Sequence, residues 1–95
     1  MSGMTRSSGG LEIRRKKALY RSWHRGMREV DLLLGTFADA RIDTLSSGEL
    51  DQYEDLLDQL DADLLKWMTG EAPVPEQYDH PLFRRIQAFR QVMPF

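Results

Sequence analysis

The chain has 95 residues, of which 41% are hydrophobic, and a formal net charge of −2. That length suits one domain with a modest core, because small domains bury proportionally less of their surface. There is no cysteine, which excludes disulfides, thiolate catalysis and cysteine-ligated zinc or iron–sulfur sites.

Residues 1–10 are rich in Ser, Gly and other small or polar residues and are expected to form a flexible N-terminal tail, with residues 11–95 as a single helical domain. From Leu11 to His24 the residues are good helix formers with neither Pro nor Gly. Leu19 and Trp23, four apart, share a face there. Gly26 interrupts the pattern. A second helix follows, in which Met27, Val30, Leu34 and Phe37 recur at three- and four-residue spacing and Leu33 widens the stripe; it should end between Ala38 and Arg41. Ser46-Ser47-Gly48-Glu49 has the Ser-x-x-Glu form of a capping box. The helix behind it should turn Leu50, Tyr53, Leu57 and Leu60 inward. Asp61 is the expected N-cap of a short fourth helix carrying Leu64, Leu65 and Met68. Gly70 and Pro73-Val74-Pro75 enforce a loop. Asp79-His80-Pro81 opens a fifth helix, through Leu82, Phe83, Ile86 and Phe89, and Pro94 closes the chain. No segment sustains the period-2 alternation of a strand. The expected fold is therefore all-α, a compact five-helix bundle.

Charge is unevenly distributed along these elements. Residues 1–28 carry eight Lys/Arg and one Glu, residues 29–79 carry fourteen acids against Arg41 and Lys66, and residues 80–95 add three Arg. A basic head, an acidic middle and a basic tail create opposed potentials that can orient a partner, although most such charges simply solvate helix faces. The longest uninterrupted apolar run, Leu32 to Leu34, is far too short to span a bilayer. The N-terminus lacks a signal peptide's apolar stretch. The expected location is a bacterial cytoplasm in preference to a mitochondrial matrix.

Motifs for catalysis are missing. No Gly-rich phosphate loop follows a strand. His24 and His80 lie far apart without metal-ligand spacing. No base and orienting acid accompany a nucleophilic serine, and the acids Asp51, Glu54, Asp55 and Asp58 read as the wet face of a helix. No catalytic, metal or cofactor-binding residue is assigned.

The stretch that stands out is Arg25-Gly26-Met27-Arg28-Glu29, at the junction of the first two helices. Glycine in a helical setting costs about 1 kcal/mol relative to alanine, so Gly26 implies a turn or a surface that something approaches closely. On one continuous helix Arg25 and Glu29 would project together, and an intrahelical ion pair of about 0.2–0.5 kcal/mol is the simplest account of them.

This stretch resembles the Arg-Gly-x-x-Glu signature of the succinate dehydrogenase assembly factor family, the flavinylation factors. Around it, Arg14-Arg15-Lys16-Lys17 precedes the motif and Met27 to Phe37 continues it as an amphipathic helix. Leu45 to Tyr53 resembles the family's third-helix start, and Asp63-Leu64-Leu65-Lys66-Trp67 its Asp-Leu-x-x-Trp segment. The similarity spans roughly residues 14–90.

The resemblance implies a five-helix bundle that binds the flavoprotein subunit of succinate dehydrogenase or, in some bacteria, of fumarate reductase. It also implies that the factor promotes covalent FAD attachment by the client's own groups. The factor would then be a chaperone rather than an enzyme, with no stably bound cofactor of its own. By position, Arg25, Gly26 and Glu29 would lie at the contact surface, with Met27 and Arg28 beside them. Arg14, Arg15 and Arg21 widen the basic patch on charge grounds. Trp67, Tyr53, Phe83 and Phe89 read as packing residues. A monomer is the simplest state. Two other readings compete: a nucleic-acid-binding or regulatory protein using the basic first helix, with Tyr20 and Trp23 stacking on bases, and a carrier that delivers FAD directly. Against the first, the acidic middle would repel phosphates; against the second, no recognisable FAD pocket is encoded.

Overall fold

The computed structural model describes residues 12–91. Five α-helices follow one another: α1 (Ile13–Trp23), α2 (Arg28–Arg41), α3 (Ser47–Leu57), α4 (Asp61–Thr69) and α5 (Pro81–Gln91), with a 3₁₀ turn at Glu76–Tyr78. There is no strand among the described residues, so the all-α five-helix expectation holds. The expected tail over residues 1–10, the expected first-helix start at Leu11 and the closing Pro94 lie outside the described residues.

α2 is the hub, packing on α1, α4 and α5. Its apolar stripe is buried as the spacing requires: Val30, Leu33, Leu34, Phe37 and Ala38 are all within 2% of full burial. The tightest approach is to α1. A Cβ placed on Gly35 would lie 2.3 Å from the Trp23 ring, so the indole rests against α2 where there is no side chain. The Trp23 Nε1–H donates to Asp39, one turn further along, at 3.2 Å. Only glycine lets these two helices close over so large a ring, and this accounts for a residue that otherwise weakens a helix.

Tyr53 of α3 is fully buried, and its hydroxyl donates to Ser22 Oγ at 2.6 Å, with the Leu34 carbonyl at 3.2 Å as a second, shared acceptor. Ser22, fully buried on α1, donates back to the Ala18 carbonyl at 2.7 Å. A small polar chain thereby ties α1, α2 and α3 together without an unpaired group, and burial pushes the Tyr53 phenol well above its ordinary pKa.

The helix ends follow the sequence signals, with two corrections. The capping box forms in full: Ser46 Oγ accepts from Glu49 N–H at 3.1 Å and Glu49 accepts from Ser46 N–H at 2.8 Å. His80 precedes Pro81 and caps α5 through its ring, with Nδ1 accepting from Phe83 N–H at 3.1 Å. Gly70 ends α4 in the left-handed conformation at φ 82°. Leu60, however, does not point inward and is 72% exposed. α3 stops at Leu57, so the i+3 register that would have buried Leu60 is broken, and Leu56 takes the core position instead. Asp61 is likewise not the N-cap of α4. Leu60 holds that position without a side-chain bond, and Asp61 is the first helical residue. The aromatic expectations stand: Phe83 is buried, while Trp67 and Phe89 pack half-buried against the core, Trp67 stacked on Tyr78 and Phe89 edge-on to Phe37.

Gly35→Ala should destabilise the protein. Overpacking a core costs about 1–3 kcal/mol, against a helix-propensity gain of about 1 kcal/mol, and the displaced group is a rigid indole. Urea midpoints of the two proteins would show the variant lower; an unchanged or raised midpoint would refute the close-packing account. The capping box makes a second prediction. Ser46 N–H, and after it the Arg85 guanidinium, hold the Glu49 carboxyl below its usual range. A depressed folded-state pKa contributes stability above the unfolded pKa and loses it as pH falls through the folded one. The wild type should therefore lose more stability than Glu49→Gln when titrated downward from about pH 5, an acidic range set by the ordinary Glu pKa; parallel stability–pH curves would contradict this.

Candidate functional site

The junction between α1 and α2 is built from the ends of four helices. α1 stops at Trp23 and α2 starts at Arg28, so Arg25, Gly26 and Met27 lie in the connection rather than on a helix. The Arg25–Glu29 helical pair considered from spacing therefore does not form. Arg25 turns inward, and its side chain is only 10% exposed. Its Nε donates to Asp61 Oδ1 at 2.7 Å, and its two terminal nitrogens donate to the carbonyls of Leu57 at 2.5 Å and Gln59 at 2.7 Å. These are carbonyls at the C-terminal end of α3, which lack helical partners and carry the negative end of the helix dipole. A guanidinium fork satisfies them.

Asp61, 14% exposed, answers from the first turn of α4. Besides Arg25 it accepts the backbone N–H groups of Gly26 at 2.7 Å and Met27 at 3.1 Å. On the far side of the connection Asp31 Oδ1 accepts Arg25 N–H at 2.5 Å. Every N–H from Arg25 to Met27 thus ends on a carboxylate, and the connection is pinned from both sides. A Cβ on Gly26 would sit 3.3 Å from Asp61 Oδ2, so any larger residue there must push the carboxylate back by a few tenths of an ångström.

The outer surface at this point has a different character. A shallow cleft of about 390 Å³ is lined by Tyr20, Arg21, His24, Gly26 and Leu60, floored by Arg25 and Asp61. Tyr20 is 57% exposed and stacks on His24 with ring centroids 3.8 Å apart and planes 13° from parallel. The His24 Nδ1–H donates to the Tyr20 carbonyl at 2.8 Å, which fixes the ring. With Leu60 the pair offers a pre-ordered apolar rim beside polar backbone. A second cleft of about 310 Å³, lined by Glu29, Leu33, Leu65, Thr69, Glu71 and Arg90, lies on the α2–α4–α5 side.

The residues singled out from the sequence are therefore divided. Arg21, Arg25 and Gly26 belong to the first cleft and Glu29 to the second. Half-buried Met27 and exposed Arg28 follow Gly26 toward Glu29. Glu29 and Arg28 are exposed and have no ion-pair partner among the described residues. The arginines of α1 are engaged: Arg14 with Asp51 and Glu54, Arg15 with Glu12 and the Ile42 carbonyl, Arg21 with Asp58. Asp61 and Leu60 are not among the site residues that the sequence suggests, and Tyr20 enters there only as a base-stacking candidate. Asp61 looked like a routine cap, Leu60 like core, and neither signal can show which side chains meet across 36 residues of chain.

No group of His, Asp and Glu among the described residues is arranged to hold a metal ion, and none of the described helices is long and apolar enough to cross a membrane. Residues 16–90 match the family described as flavinator of succinate dehydrogenase. An FAD assembly factor SdhE from Acetobacter pasteurianus is 38% identical over 76 residues, covering 80% of this chain and 70% of that protein. A mitochondrial succinate dehydrogenase assembly factor 2 from Dictyostelium discoideum is 43% identical over 77 residues, covering 81% of this chain and 55% of that protein. One from Drosophila persimilis is 39% identical over 79 residues, covering 81% of this chain. The chain spans about half the length of these two mitochondrial relatives. With the match running from α1 to the end of α5, this chain belongs to the succinate dehydrogenase flavinator family of assembly factors.

Proposed function

We propose that this protein is an assembly chaperone that binds the flavoprotein subunit of succinate dehydrogenase and promotes covalent attachment of FAD to it, with the fumarate reductase flavoprotein as an alternative client. The family match over residues 16–90 carries this reading. The site supports it through its shape: the Arg-Gly-x-x-Glu stretch runs between two clefts, with a rigid aromatic rim on one side and an exposed Glu29 on the other. A pre-ordered surface of this kind loses little conformational entropy on binding, and Tyr is a frequent anchor in interfaces. Gly26, Glu29, Arg28, Met27 and Arg21 are its proposed contacts, joined by Tyr20, His24 and Leu60; Arg25 takes part from beneath.

In this reading bond formation belongs to the client's own groups, FAD resides on the client, and the factor contributes neither a catalytic residue nor a cofactor. It acts as a monomer, in a bacterial cytoplasm in preference to a mitochondrial matrix. The ion pairs of Arg14, Arg21 and Arg25 with acids of α3 and α4 weigh against nucleic-acid binding, since those cations are already neutralised and phosphates would meet the acids behind them.

Co-expression with the succinate dehydrogenase flavoprotein subunit, followed by flavin fluorescence on a denaturing gel, tests the proposal. Covalent flavin should rise with the wild type. With Gly26→Arg or Glu29→Ala it should fall by about tenfold or more, the scale of losing a central interface contact, while circular dichroism shows both variants folded. Equal flavin in every lane, including one without the factor, would refute the reading for this client. The fumarate reductase flavoprotein would then be tried in the same assay.

A further inference from the structure

The site's geometry depends on a residue outside the signature stretch. Asp61 makes three charge-assisted hydrogen bonds to three consecutive residues: Arg25 through its side chain, and Gly26 and Met27 through their backbone N–H groups. As the first residue of α4 it could have served its own helix, yet its two oxygens face across the junction, Oδ1 to the guanidinium and Oδ2 to the amides. Its partner Arg25 is turned away from a binding partner: Nε and both terminal nitrogens each make a bond inside the molecule and the side chain is almost buried. The outer faces of Gly26 and Leu60 remain open on the cleft.

We infer that Asp61 is a positioning residue for client engagement. It fixes the Gly26–Met27 backbone against the Leu60 turn, so that the cleft between the Tyr20–His24 stack and Leu60 exists in its binding shape before the client arrives. Arg25 acts as the second half of the same clamp, from beneath the surface. The inference rests on the proposed function for its client and on hydrogen bonds alone for its geometry, and the two can fail separately.

The test uses the full chain with Asp61→Ala and Asp61→Asn, Asn keeping an acceptor for either the amides or the guanidinium but not the charge for both. Amide hydrogen exchange is read by NMR at Gly26 and Met27, with Leu34 and Phe37 as core references. Flavinylation of the apo succinate dehydrogenase flavoprotein is titrated with each variant. In Asp61→Ala, Gly26 and Met27 should exchange faster by about tenfold or more, the factor expected from losing a charge-assisted hydrogen bond, with the core references unchanged. More of the variant should be needed for half-maximal flavinylation, with the plateau kept. Asp61→Asn should fall between alanine and wild type on both measures. Exchange that accelerates equally in the core, or exchange at Gly26 and Met27 that stays at the wild-type rate, overturns the clamp. So does an unchanged half-maximal concentration in both variants. If Asp61→Ala does not fold, Asp61→Asn is judged by the same criteria. A wild type that fails to raise covalent flavin refutes the proposed function instead, and the exchange measurement still decides the clamp.

Discussion

Four helix ends meet around one ion pair, and most of what is distinctive in this bundle depends on it. Arg25 and Asp61 are 10% and 14% exposed, a depth at which removing water from two charges is costly and their mutual attraction alone seldom compensates. The pair is tolerable because nothing in it is left unsatisfied. The guanidinium also caps the carbonyl end of α3, and the carboxylate also holds the amides that lead into α2. Each charge thus meets a helix terminus of opposite partial charge as well as its partner. The same completeness makes the arrangement brittle, since deleting either member strands the other in a nearly dry place.

The segregation of charge along the chain acquires a structural meaning from this. Arg14, Arg21 and Arg25 stand along α1 and its extension, and Asp51, Glu54, Asp58 and Asp61 stand along α3 and the start of α4, in the same order. The basic head and acidic middle are therefore largely complementary within one molecule. The outer rungs are exposed, and such pairs contribute only about 0–1 kcal/mol each. Their effect on register is small, because α1 carries only basic and α3 only acidic side chains, so a slip would still leave unlike charges facing each other. The inner rung, where water is excluded, is where position is fixed most firmly.

Helix number, the apolar stripe of α2, the capping box and the start of α5 were legible in the sequence because each is a local signal, read within a turn or two of chain. The junction was not. Whether Arg25 points out as a ligand or in as a clamp depends on Leu57, Gln59 and Asp61, more than thirty residues away, and no spacing rule reaches that far. Leu60 failed for a related reason: extending a helical period past Leu57 assumes that the helix continues, whereas the chain breaks there so that its carbonyls can meet Arg25. Gly35 is the converse case. Its role is wholly a matter of what packs on it, the Trp23 ring, and the sequence offers only an unexplained glycine.

A short motif on a surface is easily read as a set of contacts, yet adjacent residues in this one act in opposite directions. Arg25 directs its guanidinium into the molecule, Gly26 gives its amide inward and its bare face outward, and Glu29, with no ion-pair partner among the described residues, lines a different cleft. Gly26 is therefore under two constraints at once. A side chain there would crowd Asp61 from one side and fill the cleft beside Tyr20 and Leu60 on the other. Loss of function on substituting Gly26 would not by itself separate these effects, because displacement of the clamp and obstruction of the cleft both follow from adding a side chain. Alanine and arginine divide them. Alanine brings the Cβ contact with little bulk beyond it, so a defect seen with arginine and spared with alanine belongs to the cleft, whereas a defect common to both belongs to the carboxylate underneath.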